Sequence, residues 1–167
     1  SAKNITFQNS MIAEALGIAH HKNYSEGTNH GYAATIGGET GSLHHNLLAD
    51  CYGRNWSMGG GLDGNGYYAG KLDIFNNVCY NWGARTTDGG AHEVNFVGNY
   101  YKEGPAAKIH RIFTLQLEGT GKGTQSAYLH NNIRDNKSGK IDKDARDMKS
   151  VQISSKQTVD WTYWGTA

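Results

Sequence analysis

The sequence has a single proline in 167 residues. With so little proline, its turns cannot be Pro-led β-turns, so its bends must come from residues that accept a left-handed backbone. Cysteine is almost as scarce. Cys51 and Cys79 are the only two, too few for a disulfide scaffold or a four-thiolate zinc site. They fall at different offsets in the repeat described below, which favours two small buried hydrophobes over a bridge. No apolar run approaches the ~18–20 residues of a membrane span. Neither sign of charge dominates, with 16 Lys and Arg against 15 Asp and Glu. No membrane partner and no nucleic-acid partner is therefore expected. No secretory leader stands at the start, which fits a mature or a cytosolic product.

Glycine and aromatics are abundant. The 23 glycines carry no collagen period and point to many tight turns. Ten tyrosines and four tryptophans exceed what a plain core needs and suit stacking on flat or ring-shaped ligands.

The chain also repeats. Five segments share one shape: ITFQNSMIAE, SLHHNLLADC, LDIFNNVCYN, VNFVGNYYKE and AYLHNNIRDN. Aligned, they place Ser10, Asn46, Asn77, Asn99 and Asn132 in one column. Phe7, Leu43, Ile74, Phe96 and Leu129 stand just before it, and Met11, Leu47, Val78, Tyr100 and Ile133 just after. The shortest interval, from Asn77 to Asn99, is one bare coil of a parallel β-solenoid, at roughly 20–25 residues, and the longer intervals are coils carrying loops. Stacked asparagines at a corner can bond one another and the unpaired backbone amides there. The pattern predicts an all-β, right-handed parallel β-helix with loop insertions and an asparagine ladder, a single domain over residues 1–167. From about 137 onward the chain reads as a loop-rich tail whose aromatics, in VDWTYWGTA, return onto the solenoid.

The rival is a sandwich of antiparallel hairpins, which needs Asn-Gly or Asp-Gly turns every 8–12 residues. DGN at 63–65 and DGG at 88–90 are too few. SMIAEAL at 10–16 has helical propensity, which the coil context should override. Residue 4 is already inside a coil with no capping helix before it, so the chain reads as the later coils of a longer β-helix.

Three stretches resemble the family 1 polysaccharide lyases, the pectate lyases. NHGYAATIGGETGSLHHNLLADCYGRN is similar to their strand–turn–strand run ending in an arginine motif. LDIFNNVCYNWG and VNFVGNYYKEGPA resemble the next two coils. The resemblance implies a secreted, periplasmic or cell-surface enzyme that cleaves polygalacturonate or pectin by calcium-assisted β-elimination. It implies Arg54 as the group that takes the C5 proton, although a guanidinium is ordinarily always protonated. His30 and Tyr32 lie near a substrate-contacting position of the family. Trp56 stands where the family has proline, no second arginine follows it, and its ring is expected to stack on a sugar. Lys71, Trp82 and Arg85 are expected to extend the groove on the same face, with Lys102 as a further subsite cation.

The coil that carries the family's calcium ligands would lie upstream of residue 1. Glu39, Asp50, Asp73 and Asp88 match no family ligand position, so the metal ligands are unassigned, and an upstream segment or second chain is expected to complete the β-helix. Two rival functions share the architecture: a polygalacturonate hydrolase with paired aspartates, and a non-catalytic glycan-binding β-helix. Adjacent histidines at 20–21 and 44–45 should point to opposite faces of a strand, as packed or stacked interior side chains, which speaks against zinc. GTGKGT at 119–124 lacks P-loop spacing.

Overall fold

The computed structural model describes residues 2–116 and 120–153; the tail VDWTYWGTA and part of GTGKGT lie outside the described residues. Five two-residue corners set the architecture. The first residue of each takes a left-handed backbone: Asn9, His45, Asn76, Gly98 and Asn131 have φ of 51°, 53°, 52°, 65° and 54°. Asparagine and glycine accept this conformation at low cost, which explains the recurrent Asn-Asn and Gly-Asn pairs.

The second residue of each corner belongs to the ladder. The backbone N–H and the Nδ2 of Asn77 both donate to Asn99 Oδ1 at 3.0 Å, and its Nδ2 also donates to the Leu43 carbonyl at 2.9 Å. Asn46 repeats this toward Asn77, and Asn99 toward Asn132. All four asparagines are buried. Ser10 donates its backbone N–H to Asn46 Oδ1 at 3.1 Å. Lacking an amide, it turns its hydroxyl to the Gln8 carbonyl at 2.9 Å.

Between corners the chain is extended. The first coil holds β1 (Ile5–Gln8), β2 (Met11–Ala13) and β3 (Thr35–Gly37); the second β4 (Thr40–His44), β5 (Leu47–Ala49) and β6 (Ser57–Gly59). The third holds β7 (Lys71–Phe75), β8 (Val78–Tyr80) and β9 (Thr87–Gly90); the fourth β10 (Glu93–Val97), β11 (Tyr100–Lys102) and β12 (Phe113–Leu115). The fifth holds β13 (Ser126–His130), β14 (Ile133–Asp135), β15 (Ile141–Asp142) and β16 (Val151–Ile153). Like strands of successive coils pair in parallel, giving three sheets: β1-β4-β7-β10-β13, β2-β5-β8-β11-β14 with β15 antiparallel at its edge, and β3-β6-β9-β12-β16. The fold is a parallel β-helix.

Registered positions stack inside it. Leu43, Ile74, Phe96 and Leu129 form one buried column, and Leu48, Cys79 and Tyr101 another. Both cysteines are free buried thiols, and burial pushes both above the ordinary thiol range. Residues 11–13 of SMIAEAL are strand β2, because edge pairing to β5 outweighs helix propensity.

Three sequence readings are corrected. DGG at 88–90 is no turn: it lies within β9, while DGN at 63–65 does bend the chain, Asp63 Oδ1 accepting from the N–H groups of Asn65 and Tyr67. His44 and His45 do not diverge, since the left-handed backbone at His45 swings the second ring round; their Nδ1 atoms lie 2.7 Å apart, and His44 stacks on Phe75 at 4.6 Å. Finally, the loop-rich stretch from about 137 is also part of the solenoid. The fifth coil runs through the charged stretch and returns as β16 in the third sheet.

Candidate functional site

Ile36, Met58 and Leu115 face inward from the third sheet, so the alternate positions face out. In register these are Thr35, Ser57, Asp88 and Thr114. Three residues before each stand Tyr32, Arg54, Arg85 and Arg111. All four therefore approach the corner of their own coil where the second sheet hands over to the third, with Tyr32 paired to Gly53, the residue before Arg54, and neighbouring strands there are ~4.8 Å apart. The repeat itself builds a row of one tyrosine and three arginines.

The row is in contact at its first end. The Tyr32 ring has the Arg54 guanidinium carbon 4.7 Å from its centroid and that of Arg85 at 5.4 Å, both within cation–π reach. Arg54 has φ of 53°, the next peptide bond, Asn55–Trp56, is cis, and its Nη1 donates to Thr35 Oγ1 at 3.1 Å. It makes no ion pair among the described residues, and its buried Nε has no hydrogen-bond partner. Arg85 differs. Its Nε and Nη2 meet both carboxylate oxygens of Asp88, at 2.6 and 2.9 Å, and that hydrogen bonding holds its pKa above even the ordinary guanidinium value. Gly89, next to Asp88, sets how closely β9 lies to β6. With φ of 103°, it lies where an added Cβ would come within 2.1 Å of the Met58 carbonyl oxygen, so only glycine lets β9 approach β6 there.

Aromatic rings extend the row along the long loop of the first coil. His30 lies 4.4 Å from Tyr32, Tyr24 lies 4.8 Å from His30, and His21 stacks on His30 at 4.7 Å. Tyr52 stacks on Tyr32 at 6.5 Å and carries Lys108 Nζ 5.2 Å from its centroid. Beyond Arg85 and Asp88 a cavity of about 280 Å³ opens, also lined by Arg111, Thr114, Gln116 and Gln152. The surface offers flat rings, a cation without a carboxylate partner at Arg54, and hydrogen-bonding side chains. That combination suits an acidic, ring-shaped ligand.

The structure thus brings Arg54, His30, Tyr32 and Arg85 together. It removes four other expected residues from this face. Trp56 is 1% exposed, points into the core and meets Phe7 edge-on at 6.0 Å, so it has no face to offer a sugar. Trp82 is fully buried against Tyr101 and donates its Nε1 hydrogen to the Ile109 carbonyl at 2.9 Å. Lys71 begins β7 in the first sheet and pairs with Glu93 at 2.7 Å. Lys102 ends β11 in the second sheet and pairs with Asp135 at 2.7 Å. Both lysines lie on other faces of the solenoid. Sequence reasoning missed Arg111, Tyr52 and Lys108. Arg54 and Arg85 each stand eight residues past their ladder asparagine but Arg111 stands twelve past Asn99, so its place in the row shows only when positions are counted back from the paired strands of the third sheet.

Calcium needs six to eight oxygen ligands converging on one point. The carboxylates considered from sequence do not converge. Glu39 pairs with Lys3 at 3.1 Å, Asp50 accepts from Asn81 at 2.6 Å, Asp73 accepts from Asn95 at 2.7 Å, and Asp88 is held by Arg85. Among the described residues no group of three or more His, Cys, Asp or Glu side chains is placed to hold a metal ion. The described residues do not fit a calcium site.

No protein-family model matches the chain. Individual relatives do. The chain is 34% identical over 148 residues to a probable pectate lyase C of Neosartorya fischeri, and 33% identical over 147 residues to one of Aspergillus fumigatus, each match covering 84% of the chain. A probable pectate lyase C of Aspergillus flavus is 33% identical over 138 residues, 79% of the chain. The chain spans 29% of the length of the first two relatives and 26% of the third. Sequence and coil architecture together place this chain among the pectate lyase-like parallel β-helix proteins.

Proposed function

We propose that the chain binds an acidic plant polysaccharide of the polygalacturonate or pectin class along the Tyr32–Arg54–Arg85–Arg111 face, and that Arg54 acts in its cleavage by β-elimination. The observation that carries this is the state of Arg54: half-buried, fixed by Thr35 and Tyr32, and without an ion-pair partner among the described residues. A uronate carboxylate would complete its coordination. In β-elimination a base takes the C5 proton, the C5–H electrons form the C4=C5 double bond, and the C4–O bond breaks so that the leaving sugar's oxygen departs with that bond's electron pair and takes a proton from water. Negative charge grows on the C6 carboxylate as the proton leaves, and a guanidinium held beside it stabilises that charge. For Arg54 to take the proton itself it must first be neutral, which is contrary to its ordinary state. Arg85 cannot share that task, because Asp88 neutralises it. The metal-holding carboxylates of such a lyase would come from outside the described residues, supplied by an upstream segment or a second chain. In this reading the protein works outside the cell; no helix among the described residues is long and apolar enough to cross a membrane.

A continuous near-ultraviolet assay for unsaturated uronides tests this, using polygalacturonate and methylated pectin, with calcium and with chelator. Absorbance that grows with the wild-type chain and falls at least ~100-fold in Arg54→Gln supports the lyase, on the scale of losing one preorganised charge-stabilising group. Equal rates in wild type and variant would overturn the role of Arg54. The lack of a metal-holding group among the described residues favours a second reading, a glycan-binding β-helix without turnover. Saturable oligogalacturonate binding with a flat absorbance trace would decide for it. The hydrolase reading has no support, since the described residues bring no second carboxylate beside Asp88 on this face.

A further inference from the structure

The row of cations does not end at Arg111. Gln152 of β16 is in register with Thr114 of β12, and three residues before Gln152 stands Lys149, the fifth-coil counterpart of Arg54, Arg85 and Arg111. A cavity of about 560 Å³ opens between Arg111 and Lys149, lined also by Arg134, Lys140, His110 and Asn136. Arg134 is unusual, because it continues the core column of Leu48, Cys79 and Tyr101 and is 5% exposed. Its Nη2 pairs with Asp142, and its Nη1 donates to the His110 carbonyl at 3.4 Å. Its buried Nε has no partner, and neither has the buried Nε of Arg111.

Arg111 and Arg134 thus line one cavity together with Lys140 and Lys149, and the Nε of each arginine is buried without an acceptor, so the cavity wall carries positive charge that suits an oxyanion. The acids nearby are already engaged. Asp142 also meets Lys140 at 3.5 Å, Asp144 holds Arg146 at 2.6 Å, Asp147 accepts from the Ser150 N–H at 2.9 Å, and Glu103 meets His110 at 2.8 Å. Lys149 makes no ion pair among the described residues.

We propose that this cavity is a carboxylate subsite, taking one uronate of an acidic oligosaccharide whose preceding units lie on Arg54, Arg85 and Arg111. The assignment of a uronate rests on the polysaccharide reading above; the cavity and its unpaired donors do not. The bound strand then runs across the coils toward the fifth, and its affinity depends on whether it is long enough to reach Lys149.

The test is calorimetric titration of the wild-type chain and a Lys140→Gln/Lys149→Gln variant with oligogalacturonates of increasing length, at low salt and in chelator so that nothing is consumed. Both lysines are exposed, so the variant keeps its fold. Wild type gains roughly tenfold or more in affinity at the length that reaches the cavity, the scale of one charge-assisted contact, and the variant lacks that step. The same step in both proteins overturns the subsite. Inorganic phosphate that binds wild type as tightly as the oligomers, and is lost in the variant, overturns the uronate assignment in favour of a phosphate site. If no oligomer binds wild type, the uronate assignment falls. The lyase reading is judged separately by its absorbance assay, so the two failures are told apart.

Discussion

The two corners of each coil are built on opposite principles. At the corner between the first and second sheets, every coil spends two residues, and the side chains of Asn46, Asn77 and Asn99 are closed into bonds with the coils before and after them, that of Asn132 with the coil before. At the corner leading into the third sheet, the loops vary in length, and cations stand with N–H groups that no acceptor meets. The first corner is a finished structure. The second leaves buried donors of Arg54 and Arg111 unpaired among the described residues. A stack of equivalent positions can therefore be closed on one side of the solenoid and open on the other, according to whether its polar groups satisfy one another.

The comparison breaks hardest at the ladder. Asn99→Ala removes the acceptor of two donors from Asn77 and the donor to the Ile74 carbonyl, all in a site with no solvent. At about 1–3 kcal/mol for each buried group left unpaired, the loss should reach ~3–5 kcal/mol by urea unfolding. Arg54→Gln should change stability by less than ~1 kcal/mol, since among the described residues Arg54 makes no ion pair and its one side-chain hydrogen bond is to Thr35. Equal losses at both sites would remove the distinction between the corners.

Trp82 tests whether burial was correctly set against ligand contact. Trp82→Ala should cost about 3–5 kcal/mol, as large aromatic truncations in a core do, and it also leaves the Ile109 carbonyl without its donor. Oligogalacturonate affinity per folded molecule should not change. If affinity falls while stability holds, the expectation that Trp82 stacks on a sugar returns.

The ladder, the strand order and the three-sheet architecture were legible in the sequence because they recur. Asn46, Asn77, Asn99 and Asn132 face the same neighbours in every coil, so one physical reason explains four residues at once. The candidate site was legible only in part. His30, Tyr32, Arg54 and Arg85 do lie together on one face, while Trp56 and Trp82 are buried, because an indole suits a core as well as it suits a sugar face. The offset from the ladder does not say which, since loops of unequal length intervene. Lys71 and Lys102 were misplaced because nearness in sequence to a groove residue was taken for nearness on one face, when a few residues carry the chain round to another sheet. Arg111 and Lys149 become visible when positions are counted from the third sheet, whose register the sequence alone does not supply.

A smaller effect sharpens the comparison by extending the finished corner. Ser10 holds the first rung of the ladder without an amide. Ser10→Asn supplies an Nδ2 that can donate to Asn46 Oδ1, as Asn46 does to Asn77. A net gain of about 0.5–1.5 kcal/mol is expected from one added hydrogen bond, seen as a higher urea midpoint at unchanged m-value. No gain would mean that the ladder's worth lies in the backbone corners, with their left-handed residues, and not in the stacked amides.

The smallest expected effect lies at neither corner. On the second sheet, Lys102 and then Tyr100 hydrogen-bond to Asp135, at 2.7 and 2.6 Å, and hold its carboxyl below the ordinary carboxylate range. A carboxylate depressed in the folded state contributes stability that is fully present above its unfolded value near ~4 and is lost as pH falls through the folded value. A surface pair such as Lys102 with Asp135 contributes ~0–1 kcal/mol. Melting temperature should therefore drop on acidification below about pH 4, and Asp135→Asn should make that drop shallower without abolishing it. Asp63, Asp142 and Asp147 are also depressed, Asp63 by backbone N–H groups, Asp142 by Arg134 and Asp147 by Ser150, so they keep part of the slope. An acid slope as steep in Asp135→Asn as in wild type would show that the pair with Lys102 is only a contact, and that Lys102 is as free for an anionic ligand as the cations of the third-sheet row.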